Sequence, residues 1–405
     1  MSFNIALTGL NAANQDLSVT ANNLANVATT GFKGSRAEFA DLYASTQQGV
    51  SATAVGNGVT VTEVAQQFSQ GNIETTGNNL DLAVSGNGFF TLSQGGALSY
   101  SRNGEFQVNA QGDVVNAQGL NLQVYPPLAN GGFNTGGLSN LSLTTSQSAP
   151  QATANAAITA NLPANAQPPA TAVFNPADPT SYNNTTSLTV YDSLGAAHTA
   201  TLYFVKTATA NDWTTQLYVD GTAVGGAQAL DYSSSGALTT PVNGQVAFPA
   251  YTPATGAANM NMTFDFSSTT QYGSTFGVTA VTQDGFTTGQ LTGINIGSSG
   301  VVQARFTNGR SVNLGQVALA NFANPQGLQQ LGNSTWAATN ASGAPVSGVA
   351  GTSGFGSIES GSLEESNVDT TTALVDMITA QRNFQANAQM IQTDDQITQT
   401  IINIR

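Results

Sequence analysis

The chain has 405 residues, enough for roughly two to four domains, yet only 7% are Asp, Glu, Lys or Arg. Eight basic residues against 22 acidic ones give a net charge of −14, which argues against a nucleic-acid or anionic-membrane partner, since both need clustered Lys and Arg. Cysteine is absent, so disulfides and thiolate metal sites are excluded. Ser, Thr, Asn, Gln and Gly must clothe the surface, as they do on secreted proteins and on subunits that pack against many copies of themselves. No run approaches the roughly 20 apolar residues of a membrane span, so no membrane insertion is expected. The opening MSFNIALTGLNAANQ has neither the basic region nor the continuous apolar segment of a cleaved secretory signal. The protein is therefore expected to be cytoplasmic, or exported by a route that reads an uncleaved N-terminus.

In chain order, Phe3, Ala6, Leu10, Ala13, Leu17, Thr20 and Leu24 are spaced 3-4-3-4-3-4, the a/d seam of a coiled coil. Thr29-Thr30-Gly31 would end that helix. Residues 46–70 are rich in Gly and Gln with a short Val/Thr alternation, and their Gly56-Asn57-Gly58 lacks the context of a phosphate loop. From Gly71 the pattern becomes short strands separated by Asn-Gly, Gly-Asn and Gln-Gly turns. Asp81, Arg102 and Glu105 invite a catalytic reading, but no His lies near them for acid–base work; they read as strand-edge charges and turn residues.

Near residue 146 the composition turns rich in Ala, Pro and Gln, and strands of sandwich type follow at Ser187–Tyr191, His198–Val205, Trp213–Val219 and Met260–Phe266. Residues 146–282 read as an antiparallel β-domain inserted in a loop of the first. The single His198 follows Asp192-Ser193, but an acid and nucleophile one residue apart are expected to be unable to orient an imidazole as a triad requires. One His and no Cys are too few for a zinc site, and no EF-hand spacing occurs. No catalytic, cofactor-binding or metal-binding residue is assigned. Residues 283–360 return to the style of the first β-domain, with Asn308-Gly309 as a hairpin turn.

The last stretch, 361–405, is free of Gly and Pro after Gly361 and reads as one helix from Asn367 onward. Its stripe is Leu374, Met377, Phe384, Ala388 and Ile391, passing to Ile397, Ile401 and Ile404. Glu364, Glu365 and Asp369 stand at its positive end and Arg405 at the other. Two narrow stripes at opposite ends of the chain are expected to pair with each other, which would bring the termini together. Periodicity alone leaves open two ordinary amphipathic helices packed on a globular core. Stripes this narrow are expected to leave the helices largely disordered until a polymer completes them.

Asn22-Asn23-Leu24-Ala25-Asn26 followed by Thr29-Thr30-Gly31-Phe32-Lys33 resembles the N-terminal signature of the bacterial flagellar rod and hook family. Ser35 to Tyr43 resembles its hook members in particular. Gly361-Ser362-Leu363-Glu364, Ser366 to Asp369 and Ala380-Gln381-Arg382-Asn383-Phe384-Gln385-Ala386-Asn387 resemble the C-terminal signature. Ala28 stands where the family commonly has Asn, and Phe384 where Tyr is common.

The resemblance implies a mainly β fold with terminal α-helices: nested β-domains, barrel- or sandwich-like, plus a coiled-coil axial domain. Its expected divisions are the N-terminal axial helix (1–32), a connector (33–70), the first β-domain in two parts (71–145 and 283–360), an inserted outer β-domain (146–282) and the C-terminal axial helix (361–405). It implies no enzyme and no cofactor, but a structural subunit of a short curved tube that transmits torque as a universal joint. The implied partners are further copies of the chain, the rod and hook–filament junction proteins, a cap during assembly, and the flagellar type III export apparatus. The implied place is outside the cell, in the flagellum. The expected assembly interface is Phe3, Leu10, Leu17, Leu24, Leu374, Met377, Phe384, Ile391, Ile397 and Ile401. The signature positions are Asn22, Asn23, Asn26, Thr30, Gly31, Phe32, Lys33, Gln381, Arg382 and Asn383. A distal rod subunit shares the terminal signatures but should lack the inserted domain, and a secreted β-domain adhesin would leave both helical stripes without a purpose.

Overall fold

A computed structural model of the chain describes residues 2–42, 56–143 and 147–403. The side chain of Ile401, and Ile404 and Arg405 altogether, lie outside the described part. The architecture is mainly β with one long helix at each end, and it divides into two compact units: Met1–Thr144 with Gly293–Ala304 and Ser311–Arg405, and Thr145–Thr292 with Arg305–Arg310.

In the first unit, α1 spans Ser2–Ala25. It ends in a turn in which the Asn26 amide donates to Asn22, and the chain reverses at Gly31 with φ of 66°. A side chain at Gly31 would fall on the Arg102–Asn103 peptide, so both the positive φ and the close approach demand glycine there. Next come β1 (Ser35–Asp41) and β2 (Val59–Gln66), an antiparallel pair with a bulge between Glu38 and Phe39. The second helix, α2, spans Thr370–Asn403, starting later than the sequence pattern indicates. Asp369 caps it, accepting from the Thr372 amide and hydroxyl at 2.8 Å each. Those bonds hold the Asp369 carboxyl below its ordinary pKa. Glu364, expected beside the helix dipole, lies instead in a short strand, Ser362–Glu364, paired with Ile73–Thr75.

The β-core of this unit is buried on both faces of its central strand, Phe89–Gln94, which runs apolar where a half-buried strand would alternate. Successive side chains point to opposite faces. Phe90 and Leu92 therefore join one cluster with Leu82, Leu122, Val317 and Leu319, while Phe89 joins the other with Tyr100, Phe322 and Trp336. The outgoing and returning chains are stitched together by Leu82–Ser85 against Ser357–Ser360. That pairing carries the chain directly to α2.

The second unit is a sandwich. One sheet holds Asn184–Tyr191, Ala197–Lys206, Asp212–Val219, Gln228–Tyr232 and Leu238–Thr240; the other is built on Asn155–Pro163. Alternate residues of both sheets turn inward, and Ile158, Leu162, Leu202, Phe204, Trp213, Phe264 and Phe266 fill the space between. The sandwich is not wholly antiparallel as expected. Asn155–Pro163 pairs in parallel with Thr263–Asp265 and Thr270–Tyr272, because the chain crosses the other sheet before returning from the same end. The returning chain also stays hydrogen-bonded to the entering one beyond residue 283, through a Gln151–Phe286 bridge and Gln147–Ser148 against Gly289–Gln290. This unit consequently reaches Thr292.

His198 corrects a second expectation. Asp192 does orient the imidazole, with Oδ2 3.2 Å from Nε2, because the turn that follows Tyr191 folds the carboxylate back under the ring. The Ser193 hydroxyl accepts the Ala258 amide at 2.9 Å.

Candidate assembly site

The two helices pack on each other through small side chains. Ala6, Ala12, Ala13, Val19 and Thr20 of α1 are buried, as are Ala373 and Ala380 of α2. Gly9 lets the backbones approach so closely that a Cβ there would lie 2.6 Å from the Asn387 side-chain oxygen. The buried seam of α1 is thus turned from the Leu edge of the predicted stripe toward Ala12 and Val19. Leu10, Leu17 and Leu24 are half-buried at its margin, and Phe3 is 43% exposed. On α2, Met377, Phe384, Ala388 and Ile391 flank the seam half-buried, whereas Leu374 and Ile397 point away from it, 41% and 53% exposed.

With about 100° between successive residues, Leu374, Val375 and Ile378 form a second apolar face well round from Ala373 and Ala380, and all three are exposed. Met390, Ile397 and Ile402 continue exposed apolar surface down the helix. Phe39 and Val64 add exposed apolar side chains from β1 and β2. Two carboxylates also oppose each other across the helix pair. Burial and then the charge of Asp376 push the Asp16 pKa up.

The N-terminal signature residues cluster where the helices join the β-domain. Asn23 clamps the start of β1, donating to the Ser35 carbonyl at 2.7 Å and accepting its amide at 2.9 Å. Asn26 donates to Asn22, and the Thr30 hydroxyl donates to Glu105 at 3.0 Å. Asn22, Asn23, Asn26, Phe32 and Lys33 share one open groove of ≈ 550 Å³ with the hairpin around Asn333 and Trp336. Gln381, Arg382 and Asn383 are exposed on α2, away from that groove.

At the centre of the junction stands an ion triad that the sequence pattern did not single out. Lys33 Nζ lies 2.6 Å from Glu364 Oε1, and Arg102 Nη1 lies 3.1 Å from Glu364 Oε2; the Lys33 and Glu364 side chains have no solvent exposure. Lys33 also donates to the Ser69 carbonyl, Arg102 donates to the carbonyls of Val84 and Gly86, and the Gly71 amide donates to Glu364. Arg102 lies over the Phe89 ring at 5.4 Å. Burial lowers the pKa of both cations, opposed by the Glu364 charge. One carboxylate thus ties the segment after α1, the segment before α2 and the β-core together. Asn367 adds a polar hinge beside it, accepting the Gly34 amide and donating to Gln67 and Ser69. The one sequence signal was scarcity: in a chain with eight basic residues, each Lys or Arg outside an obvious surface run is a candidate for a specific partner.

Paired terminal helices with exposed apolar side chains beside their seam, rooted by buried charges in a β-domain, fit a subunit of a self-assembling axial structure. The comparisons with known proteins give that class its family. Residues 3–33 match the flagella basal body rod protein model, 83–167 the flagellar hook protein FlgE/F/G D1 domain, 161–286 the flagellar basal body protein FlaE D2 domain and 359–404 the flagellar basal body rod FlgEFG protein C-terminal model. The flagellar hook protein FlgE of Escherichia coli K12 is 39% identical, and that of Salmonella typhimurium LT2 is 38% identical, each over 100% of both chains. The Rhizobium meliloti hook protein is 33% identical over 98% of this chain and 97% of its own. Among solved structures, the Helicobacter pylori hook protein FlgE2 shares the fold, with a TM-score of 0.52 at 13% identity over 71% of this chain and 99% of that one. The chain belongs to the flagellar hook protein family, and it is a hook subunit that polymerises with copies of itself.

Proposed function

We propose that the exposed apolar faces of α1 and α2 are the surfaces on which neighbouring copies pack to form the tube of the hook. The observation that carries this reading is the outward row Leu374, Val375 and Ile378 on a helix whose inward seam is only alanine and half-buried neighbours. Contacts between unlike faces related by a screw rotation produce an open helical tube and not a closed ring. Phe3, Leu10, Leu17, Leu24, Met377, Phe384, Ile391, Ile397 and Ile401 would complete the same interfaces. The signature residues Asn22, Asn23, Asn26, Thr30, Gly31, Phe32 and Lys33 would set the angle at which the helices leave the β-domain. Gln381, Arg382 and Asn383 would meet a neighbour.

Labour then divides along the chain. The helices hold the tube together, while the polar, weakly charged β-units slide past neighbours as the tube bends, making a curved universal joint between rod and filament. The rod, the junction proteins and an assembly cap are the remaining partners of this reading, and a type III export route through the uncleaved N-terminus is its path to the outside of the cell. Full-length likeness to hook proteins, including the segment that forms the second unit, favours hook over distal rod. No helix among the described residues is long and apolar enough to cross a membrane.

Concentrating purified protein and imaging it by electron microscopy tests the reading. Hollow helical tubes are expected, with subunits joined through a central helical layer. A chain that stays monomeric, or tubes whose innermost layer lacks α1 and α2, would overturn it.

A further inference from the structure

The chain has a single histidine, and it is buried between two carboxylates in the second unit. His198 Nδ1 lies 2.6 Å from Asp220 Oδ2, and Nε2 lies 3.2 Å from Asp192 Oδ2. Asp192 belongs to the turn between Asn184–Tyr191 and Ala197–Lys206, and Asp220 follows the strand Asp212–Val219. A third element, the arm of residues 249–258, closes over them. Thr255 donates its hydroxyl to the same Asp192 oxygen at 2.7 Å, and the Ala258 amide donates to Ser193 at 2.9 Å. Tyr251 packs its ring edgewise on the imidazole at 5.9 Å and stands beside the Asp220 carboxylate, so that burial and then this charge raise the pKa of its hydroxyl. The titratable groups facing His198 from these elements are therefore Asp192, Asp220 and Tyr251.

We propose that His198 is a proton-operated clasp: as imidazolium it bridges Asp192 and Asp220 and holds the 249–258 arm closed, and on losing its proton it releases that arm. The donor count requires the coupling. An imidazolium has two N–H donors, one for each carboxylate; a neutral ring has one, so its other nitrogen turns a lone pair on a carboxylate. The Asp192 side chain has no solvent exposure whereas Asp220 is 43% exposed, so the neutral ring keeps its donor on Asp192 and the mismatch falls on Asp220. It is relieved by Asp220 turning to solvent, away from the ring and from Tyr251 of the arm.

The electrostatics agree with the geometry. Burial pulls the His198 pKa down, but the hydrogen bonds and charges of Asp220 and Asp192 outweigh it and raise it above 6.5. Burial likewise opposes ionisation of Asp192, yet bonds from Thr255, the Ala196 amide, His198 and the Leu194 amide hold it down at about 2. A raised His contributes stability that is present in full below its unfolded pKa and is lost as pH rises through the folded one. A depressed Asp contributes stability present above its unfolded pKa and lost as pH falls through about 2. The clasp is therefore shut below the ordinary histidine midpoint and opens as pH rises through the raised one.

One histidine means one imidazole signal. In the full-length chain labelled with nitrogen-15, His198 is followed by NMR from about pH 5 to pH 9 together with the amides of Tyr251, Thr255 and Ala258. The expected midpoint lies above that of an ordinary histidine, with the three arm amides shifting at that same midpoint. Asp220→Asn should lower the midpoint, and His198→Gln should abolish the arm's pH dependence while the amides of Leu202 and Phe204 in the sandwich core keep their positions. An ordinary His midpoint, arm amides that ignore it, or arm shifts that persist in His198→Gln would each overturn the clasp.

Discussion

Glu364→Gln is expected to destabilise the first unit by about 3–5 kcal/mol, the cost of leaving buried charge without its partner. Glu364 is the single carboxylate between Lys33 and Arg102, so the triad already buries a net positive charge. Gln keeps the volume but offers one acceptor oxygen and an NH2 group with two donors. Whichever cation meets the NH2 group is left facing a donor, and the Gly71 amide competes for the remaining oxygen. Against a total stability of about 5–15 kcal/mol for a domain, such a loss empties the folded state appreciably. Lys33→Met should cost less, because it leaves Glu364 and Arg102 as a balanced pair. The loss in Glu364→Gln should also shrink as pH rises. Lys33 is already lowered by burial, and removing Glu364 removes the charge that opposes that shift. The unfolded state then binds more protons than the folded one, and stability climbs with pH. Urea unfolding of wild type and the two variants at neutral and alkaline pH measures all of this. A Glu364→Gln loss below about 1 kcal/mol, the range of a surface ion pair, would show that the junction does not depend on the triad.

Ile378→Asp should abolish tube formation and leave the isolated subunit's melting temperature nearly unchanged. Ile378 is 47% exposed beside Leu374 and Val375, so the subunit alone loses little when the side chain changes. In a polymer that covers this face, burying the exposed half of the side chain contributes about 0.7–1.5 kcal/mol per subunit. Since 1.4 kcal/mol is tenfold in an association constant, Ile378→Ala should raise the critical concentration roughly 3- to 10-fold, and a buried aspartate more. Ala380→Asp is the contrasting change: Ala380 has no exposure, so that variant should lose the helix pair in the subunit itself. Sedimentation of assembled against free protein, beside a thermal melt, separates the two. Normal tubes from Ile378→Asp would remove this face from the interface.

Much of the architecture was legible because it depends on local signals. Two Gly/Pro-poor stretches with 3-4 spacing became α1 and α2, and Asn-Gly and Gly-Asn turns marked the strands between. The pairing of the two ends also followed, since neither stripe is wide enough to pack alone. Which faces pair was not legible. Apolar stripes are read from Leu, Ile and Phe, whereas Gly9, Ala13 and Ala380 form the seam because small residues let backbones approach. Lys33, Arg102 and Glu364 are far apart in the chain, and nothing local to any of them announces the others. The spacing of Asp192 and Ser193 argues against a triad, but it does not show that the turn folds the Asp192 carboxylate beneath the His198 ring. The parallel pairing of Asn155–Pro163 depends on where the chain goes for the following hundred residues, which no local pattern records.

Trypsin shows whether the helix pair is completed by neighbours. Arg382 is exposed on α2, but cleavage after it requires the helix to unfold locally, whereas Lys33 is buried in the triad and serves as an internal control. In dilute protein the bond after Arg382 should be cut quickly while the bond after Lys33 survives. In assembled tubes both should resist. Equal resistance at Arg382 in dilute protein and in tubes would contradict the account, because the helix pair would then already be complete in a single chain.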